Sequence, residues 1–301
     1  MKNGLMGLVG NTPMVELKKV NSTASTILAK LETLNPSGSI KDIMASYMTD
    51  VAEKKGLLKP GGKIIEETSG NTGISFAMIA ALKGYHFIAV MPEHMSEERK
   101  QLMRSFGAEI VLTPEADGFP GALKKLEQLA EENKDAWLPR QFENRDNIDA
   151  HREITGKRIL QAVGKDIDVF VAGVGTGGSL MGVAEALRQA NPGVKIVAVE
   201  PAECAVMSGG QPNNHIIQGI GAGFIPDLVD LDFIDEIVAI SCADAVAMTK
   251  RLIREEGLMV GISSGANVLA SLQIARKSGQ GKTIVTLLPD RGERYLSMNV
   301  L

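Results

Sequence analysis

The chain has 301 residues, 44% of them hydrophobic and 23% charged, with a formal net charge of -4; this suits a globular protein of two domains or lobes and lacks the basic balance of a nucleic-acid binder. Its long uncharged run, residues 169–184, is too short and too often broken by Gly, Thr and Ser to span a bilayer, and the opening Met1-Lys-Asn-Gly-Leu5 lacks the apolar stretch of an export signal. Two cysteines, Cys204 and Cys242, exclude a disulfide scaffold or a multi-cysteine metal site and read as free thiols in a reducing cytoplasm.

In chain order, the apolar pattern predicts a strand over residues 26–31 and a helix over 40–53, with Ile40, Ile43, Met44, Tyr47, Met48 and Val51 on one face. A strand at 63–68, a helix at 72–82, a strand at 87–91, a helix at 97–106, a strand at 110–112 and a helix at 121–132 follow. The second half reads as strand 169–174, helix 178–190, strand 196–200, helices 243–256 and 266–275, and strand 283–288. Strands alternating with helices imply parallel sheets with crossover helices. Such sheets bind ligands beyond the carboxyl ends of their strands, so the loops after strands carry the functional information.

Three of those loops are unusual. Gly175-Thr-Gly-Gly-Ser179 follows a strand and opens a helix, where glycines allow close backbone approach and free N–H groups face an anion. A phosphate site and a structural turn both fit. So does a dinucleotide site, because Gly173, Gly175 and Gly178 spell G-x-G-x-x-G and Glu200 stands 22 residues beyond Gly178. Thr68-Ser-Gly-Asn-Thr-Gly73 also joins a strand to a helix. It offers hydroxyls and an amide to a small carboxylate or a second phosphate, or simply caps its helix. Two anion-type loops favour a cofactor plus an acidic substrate. In Asn35-Pro-Ser-Gly-Ser-Ile-Lys-Asp42, Ser39 and Asp42 have capping-box spacing, which puts Lys41 in the first helical turn. A cation there is unfavourable against the helix dipole. The same field lowers an amine's pKa, as a nucleophile requires; a solvated surface lysine is the plain alternative. His86, His94, His151 and His215 show no metal-ligand spacing, and no G-x-S-x-G elbow or Walker lysine motif occurs. Ser263-Ser-Gly265 precedes a predicted helix and reads equally well as its cap.

Together with Gly261-Ile-Ser-Ser-Gly-Ala266 and Gly292-Glu-Arg-Tyr-Leu-Ser297, these loops stand in an order that resembles the cysteine synthases (O-acetylserine sulfhydrylases). That family is grouped with cystathionine β-synthase among the tryptophan-synthase-β-like, fold-type-II pyridoxal-phosphate enzymes. The resemblance runs from Gly10-Asn-Thr-Pro13 to the C-terminus and displaces the dinucleotide reading. It implies a two-lobed α/β fold, each lobe a mainly parallel sheet flanked by helices. Residues 1–34 and 146–301 would form the larger, phosphate-binding lobe, and residues 35–145 a smaller mobile lobe that closes on the substrate carboxylate. Lys41 would hold pyridoxal 5'-phosphate covalently, Asn71 would bond its phenolic oxygen, Gly175, Thr176, Gly177, Gly178 and Ser179 would cradle its phosphate, and Ser263 would face its ring nitrogen. Thr68, Ser69, Thr72 and Gln141 would hold the substrate carboxylate. No metal is implied.

The implied reaction is β-replacement through an α-aminoacrylate, with O-acetylserine and sulfide giving cysteine and acetate, and with freed Lys41 removing the α-proton. The alternative runs the same chemistry on cysteine, releasing hydrogen sulfide with water or a thiol as the incoming group. A cystathionine β-synthase-like enzyme belongs with that alternative, and would here be a bare catalytic core. A cytoplasmic homodimer is expected, and some cysteine synthases also dock a serine acetyltransferase tail in the cleft. Ile43 stands where the family commonly has arginine, and Arg145 and Ile148 where it has prolines. Asp232 stands where lysine or a neutral residue is frequent. A carboxylate beside the cleft could activate water, so that cysteine would yield serine; a solvated loop acid is the plain alternative.

Overall fold

A computed structural model describes residues 4–301; residues 1–3, which open both the segment read for an export signal and the expected larger lobe, lie outside it. The first half runs β1 (Met14–Glu16), β2 (Thr26–Leu31), α1 (Lys41–Lys54), β3 (Lys63–Glu67), α2 (Asn71–Lys83), β4 (His86–Pro92), α3 (Glu97–Ser105), β5 (Glu109–Thr113) and α4 (Gly118–Glu132). Next, α5 (Asp146–Ala150) passes through a π-helical turn, His151–Gly156, into α6 (Lys157–Val163). The rest is β6 (Val169–Gly173), α7 (Gly178–Ala190), β7 (Lys195–Pro201), β8 (Glu236–Ile240), α8 (Cys242–Arg251), α9 (Ile262–Ser278) and β9 (Thr283–Leu288).

The predicted elements are present with small shifts of boundary. The helix expected at 266–275 begins at Ile262, so Ser263 and Ser264 lie within its first turn rather than ahead of it. The helix expected at 243–256 becomes π-helical over Leu252–Glu256. Strands β1 and β8 and the α5–α6 segment were not anticipated from the sequence. Both strands lie at edges of the sheet, β1 has only three residues, and the π turn breaks the 3.6-residue spacing that marks a helix.

One sheet has the order β1-β2-β9-β6-β7-β8, parallel except for β1, which pairs antiparallel with β2. The other has the order β3-β4-β5 and is parallel throughout. Because the side-chain period of a strand is two, each face of the larger sheet builds its own core. Ile27, Ala29, Val169, Val171, Val197 and Val199 pack with residues of α8 and α9. Phe170, Ala172, Ile196, Ala198, Val285 and Leu287 pack with residues of α6 and α7. The smaller sheet buries Ile64, Phe87, Ala89 and Met91 with α2, and Ile65, Ile88 and Val90 with α4.

Helix α1 belongs to both layers. Ile43 packs in the core of the large sheet, whereas Met44, Ala45, Met48 and Ala52 pack in that of the small one. A single amphipathic face was expected; the helix is instead clamped from two sides, and its first residue, Lys41, stands between the sheets. Ile43, in the place of a common arginine, is fully buried, and Ile148 packs with Met181 and Leu228. Arg145 pairs with Glu185 at 2.6 Å. Among the described residues no helix is long and apolar enough to cross a membrane.

Candidate active site

The loops that leave β2, β3, β6 and β9 emerge from the carboxyl ends of their strands, where a parallel sheet directs backbone groups outward. The first carries Lys41. The Asn35 Oδ1 accepts the Gly10 N–H at 2.8 Å, and the Ile40 N–H donates to Pro289 O at 2.8 Å, which ties this loop to the exit of β9. The expected capping box does not form. The Asp42 carboxylate instead accepts the Ser37 N–H at 2.6 Å and the Ser75 hydroxyl at 2.6 Å, pinning the loop to α2. Lys41 is the first residue of α1, as the spacing implied, and stands half-buried there. Burial lowers its amine to about 8, with no acceptor or carboxylate opposing the shift. His151, in the π turn, hydrogen-bonds the Thr155 hydroxyl at 2.9 Å. Burial, helped by the nearby Lys41 charge, pushes its imidazole down to about 3, so it stays neutral.

The loop after β3 is braced from within. The Thr68 hydroxyl accepts the Gly73 N–H at 3.1 Å, and the Thr72 hydroxyl donates to Gln141 Oε1 at 2.7 Å. The N-cap of α2 is Gly70, which supplies no side-chain acceptor. Asn71 Nδ2 donates to Asp290 Oδ2 at 2.7 Å, and Arg294 donates to Asn71 Oδ1.

After β6, the glycines have separate reasons to be glycine. A Cβ on Gly175 would lie 2.2 Å from Gly219 O, and one on Gly178 would lie 2.0 Å from Asn147 Oδ1. Gly177 has φ +87° and would place a Cβ 2.6 Å from Val229 Cγ2. The dinucleotide reading fails on Glu200. That residue is buried, and its carboxylate already accepts the N–H groups of Met207 and Ser208 at 2.9 and 3.0 Å.

These loops enclose a cavity of about 500 Å³ and a deeper one of about 40 Å³. Lys41, Thr68, Ser69, Asn71, Thr72, Gln141, Gly175 and Thr176 line the larger. Lys41, Asn71, Gly175, Thr176, Ser179 and Ser263 line the smaller, so Lys41, Asn71, Gly175 and Thr176 face both. Gly177 and Gly178 line neither; their close contacts with Val229 and Asn147 form the backing of the loop. Asp232 lines neither of these cavities. After Phe224 the chain turns so that Pro226 and Leu228 are buried and Val229 covers Gly177. That leaves Asp232 exposed in the short turn Leu231–Phe233, its N–H donating to Asp230 Oδ1 at 3.0 Å.

Sequence reasoning missed Glu67, Arg99, Phe119, Phe142 and Phe224 on the larger cavity and Asn267 and Asp290 on the deeper one. Several lie within or beside predicted elements, where residue type alone carries no signal. Glu67, next to a singled-out loop, is the one that could have been found.

A sequence model described as "Pyridoxal-phosphate dependent enzyme" matches residues 5–290. The chain belongs to this family of pyridoxal-phosphate-dependent enzymes. Among its relatives is a cysteine synthase of Staphylococcus aureus, 47% identical over 292 residues, covering 96% of this chain and 94% of that protein. A cysteine synthase structure from Entamoeba histolytica superposes with a TM-score of 0.96 at 43% identity, covering 100% of this chain and 90% of the other. A hydrogen sulfide-producing enzyme of Fusobacterium nucleatum superposes with a TM-score of 0.94 at 42% identity, covering 98% of each chain.

The family's cofactor suits the residues present. The deeper cavity is lined by Asn267 and Asp290, whose buried Oδ1 atoms lack a partner among the described residues. A buried polar atom without a partner is costly, which marks this cavity as a place for a polar group rather than an apolar one. The start of α7 offers N–H groups to a phosphate, and the Lys41 amine lies between the two cavities.

Proposed function

We propose that this protein makes L-cysteine from O-acetyl-L-serine and sulfide by β-replacement. The observation that carries the reading is the Lys41 amine, lowered to about 8 by burial and shared by the two cavities. The similarity to cysteine synthases over nearly the whole chain supports it.

In this reading Lys41 holds pyridoxal phosphate, the N–H groups from Gly175 to Ser179 hold its phosphate, Asn71 bonds its phenolic oxygen, and Ser263 meets its ring nitrogen. When bound, the cofactor supplies a sink for the electrons of the substrate Cα–H bond. The protein's own groups do the rest. The hydroxyls of Thr68, Ser69 and Thr72, the amide of Gln141 and the first-turn N–H groups of α2 orient the substrate carboxylate. That fixes the Cα–H bond toward Lys41. Freed from the cofactor, Lys41 Nζ takes the α-proton as a base whose acidity suits work near neutral pH. A serine hydroxyl at the ring nitrogen, unlike a carboxylate, does not hold that nitrogen protonated, and this favours elimination of the β-substituent. The residues from 35 to 145 form the smaller lobe and close on the carboxylate. Homodimeric assembly in the cytoplasm and docking of a serine acetyltransferase tail in the cleft belong to the same proposal.

The test is a pair of assays on purified protein supplied with pyridoxal phosphate. One supplies O-acetylserine and sulfide and measures cysteine; the other supplies cysteine alone and measures sulfide and serine. Dominant cysteine formation is expected. No binding of pyridoxal phosphate, or sulfide release far exceeding cysteine formation, would overturn the proposal.

A further inference from the structure

Glu67 ends β3, immediately before the 68–73 loop, and lines the larger cavity together with Lys41, Phe119 and Phe142. It is 8% exposed. By strand alternation it shares the face of Ile65, which packs against Ala122 and Leu126 of α4. Its neighbour Glu66 is consumed by the fold, accepting the backbone N–H groups of Arg140 and Gln141 at 3.0 and 3.2 Å. Nothing comparable engages Glu67. Burial, reinforced by the Glu66 charge, raises its carboxyl to about 8, with no hydrogen bond or cation opposing the shift. The charged or titratable groups that share its cavity are Lys41 of α1, Arg99 of α3, His215 of the loop after β7 and Tyr295 of the turn Gly292–Met298. Its carboxyl opens on the cavity without a partner among the described residues, so a group bound there is what it can serve.

Lys41 is occupied with the α-proton. The group that leaves the β-carbon has a separate need. Acetate departs as a stable anion, hydroxide departs only with a proton, and sulfide or thiolate, more basic than acetate, departs more readily with one.

We propose that Glu67 gives its proton to the departing β-substituent and recovers one from the incoming S–H group, so that this site accepts substrates with thiol or hydroxyl leaving groups as well as esters. The idea rests on the β-replacement reading above and deepens it. In the forward step the bond from Cβ to the leaving heteroatom breaks and its electron pair stays on that heteroatom. The Glu67 O–H bond breaks and its proton goes to the same atom, leaving a Glu67 carboxylate. The electron pair of the Cα–H bond, whose proton Lys41 takes, forms the Cα–Cβ double bond. On addition the thiol sulfur bonds to Cβ, its proton returns to the Glu67 carboxylate, and Lys41 returns the α-proton.

The experiment compares the holoenzyme with Glu67→Gln and Glu67→Asp. Each is given L-cysteine plus 2-mercaptoethanol, and separately O-acetylserine plus sulfide. Glu67→Gln should lower kcat for sulfide release from cysteine on the order of a hundredfold, and the ratio of the cysteine rate to the O-acetylserine rate should fall at least tenfold. Glu67→Asp should restore part of that ratio. A readout independent of turnover is the protonated-carboxyl region of infrared difference spectra of the cofactor-free protein. The component lost as pH rises through about 8 should be missing in Glu67→Gln, whereas the Glu66 component, lost as pH rises through about 7, should remain. An unchanged rate ratio, a wild-type enzyme inert toward cysteine, or a Glu67 that titrates as an ordinary carboxyl overturns the role of Glu67 while leaving the O-acetylserine reaction standing. A protein that binds no pyridoxal phosphate overturns both.

Discussion

Gly178 offers a direct test of how the start of α7 is built. Asn147 is fully buried, and its Nδ2 donates to Gln141 O at 2.8 Å and to Thr176 Oγ1 at 3.0 Å, joining the proposed carboxylate-binding and phosphate-binding segments. A Cβ on Gly178 would meet Asn147 Oδ1 at 2.0 Å and Cγ at 2.4 Å, so Gly178→Ala must displace a side chain that has no free space. Overpacking costs about 1–3 kcal/mol, and two weakened hydrogen bonds add about 1 kcal/mol each. Alanine returns up to about 1 kcal/mol through its helix propensity, which leaves a net loss of about 2–4 kcal/mol. Urea unfolding of the cofactor-free protein measures it. Affinity for pyridoxal phosphate should fall with it, about tenfold for each 1.4 kcal/mol that reaches the site. Asn147→Gly removes the clash, so the double variant should be less destabilised than the sum of the singles by at least about 1 kcal/mol. A Gly178→Ala protein as stable as wild type, or strict additivity in the cycle, would refute the reasoning.

The remaining predictions concern single residues. Lys41→Met should lower turnover on the order of a thousandfold or more, read as cysteine formed from O-acetylserine. The same variant tests the buried amine. Because folding holds Lys41 at about 8 against an ordinary 10.5, the folded state penalises the ammonium form. The Met variant should therefore be more stable than wild type below pH 8 and lose that advantage as pH approaches 10.5; parallel urea midpoints across that range would contradict it. Gln141→Ala removes the acceptor of the Thr72 hydroxyl and a cavity wall, and KM for O-acetylserine should rise by about tenfold to a hundredfold. Asp232→Asn should leave both cysteine formation and sulfide release within about twofold of wild type, as expected of an exposed residue outside the cavities. A large loss in either assay would place that loop at the site after all.

Local chemistry was legible wherever a motif is continuous in the chain. The glycines after β6, the hydroxyl-rich loop after β3 and the lysine opening α1 are each read within a few residues, because helix starts and close backbone approach constrain local residue type. The alternation of strand and helix gave parallel sheets, and parallel sheets put these loops on one side. Interactions between distant segments were not legible. Asp42 was expected to cap its own helix and instead binds Ser37 and Ser75. Glu200 had the spacing of a ribose ligand and instead holds the turn at Met207 and Ser208. Asp232 follows a cavity-lining segment in sequence, yet it is exposed and lines neither cavity. A carboxylate's role depends on which donors the fold brings to it, and sequence spacing does not report those donors.

By itself the sequence determined the α/β alternation, most of the elements and the loops that carry the chemistry, since these follow from periodicity and from backbone freedom at particular residues; the two-lobed arrangement came with the family resemblance. Tertiary structure decided the rest. It inserted β9 between β2 and β6, clamped α1 between two cores so that Lys41 opens into both cavities, and left Glu67 on the wall of the larger one without a partner among the described residues. The physical reason is that burial and charge environment are properties of the assembled neighbourhood, and only the packed chain sets them.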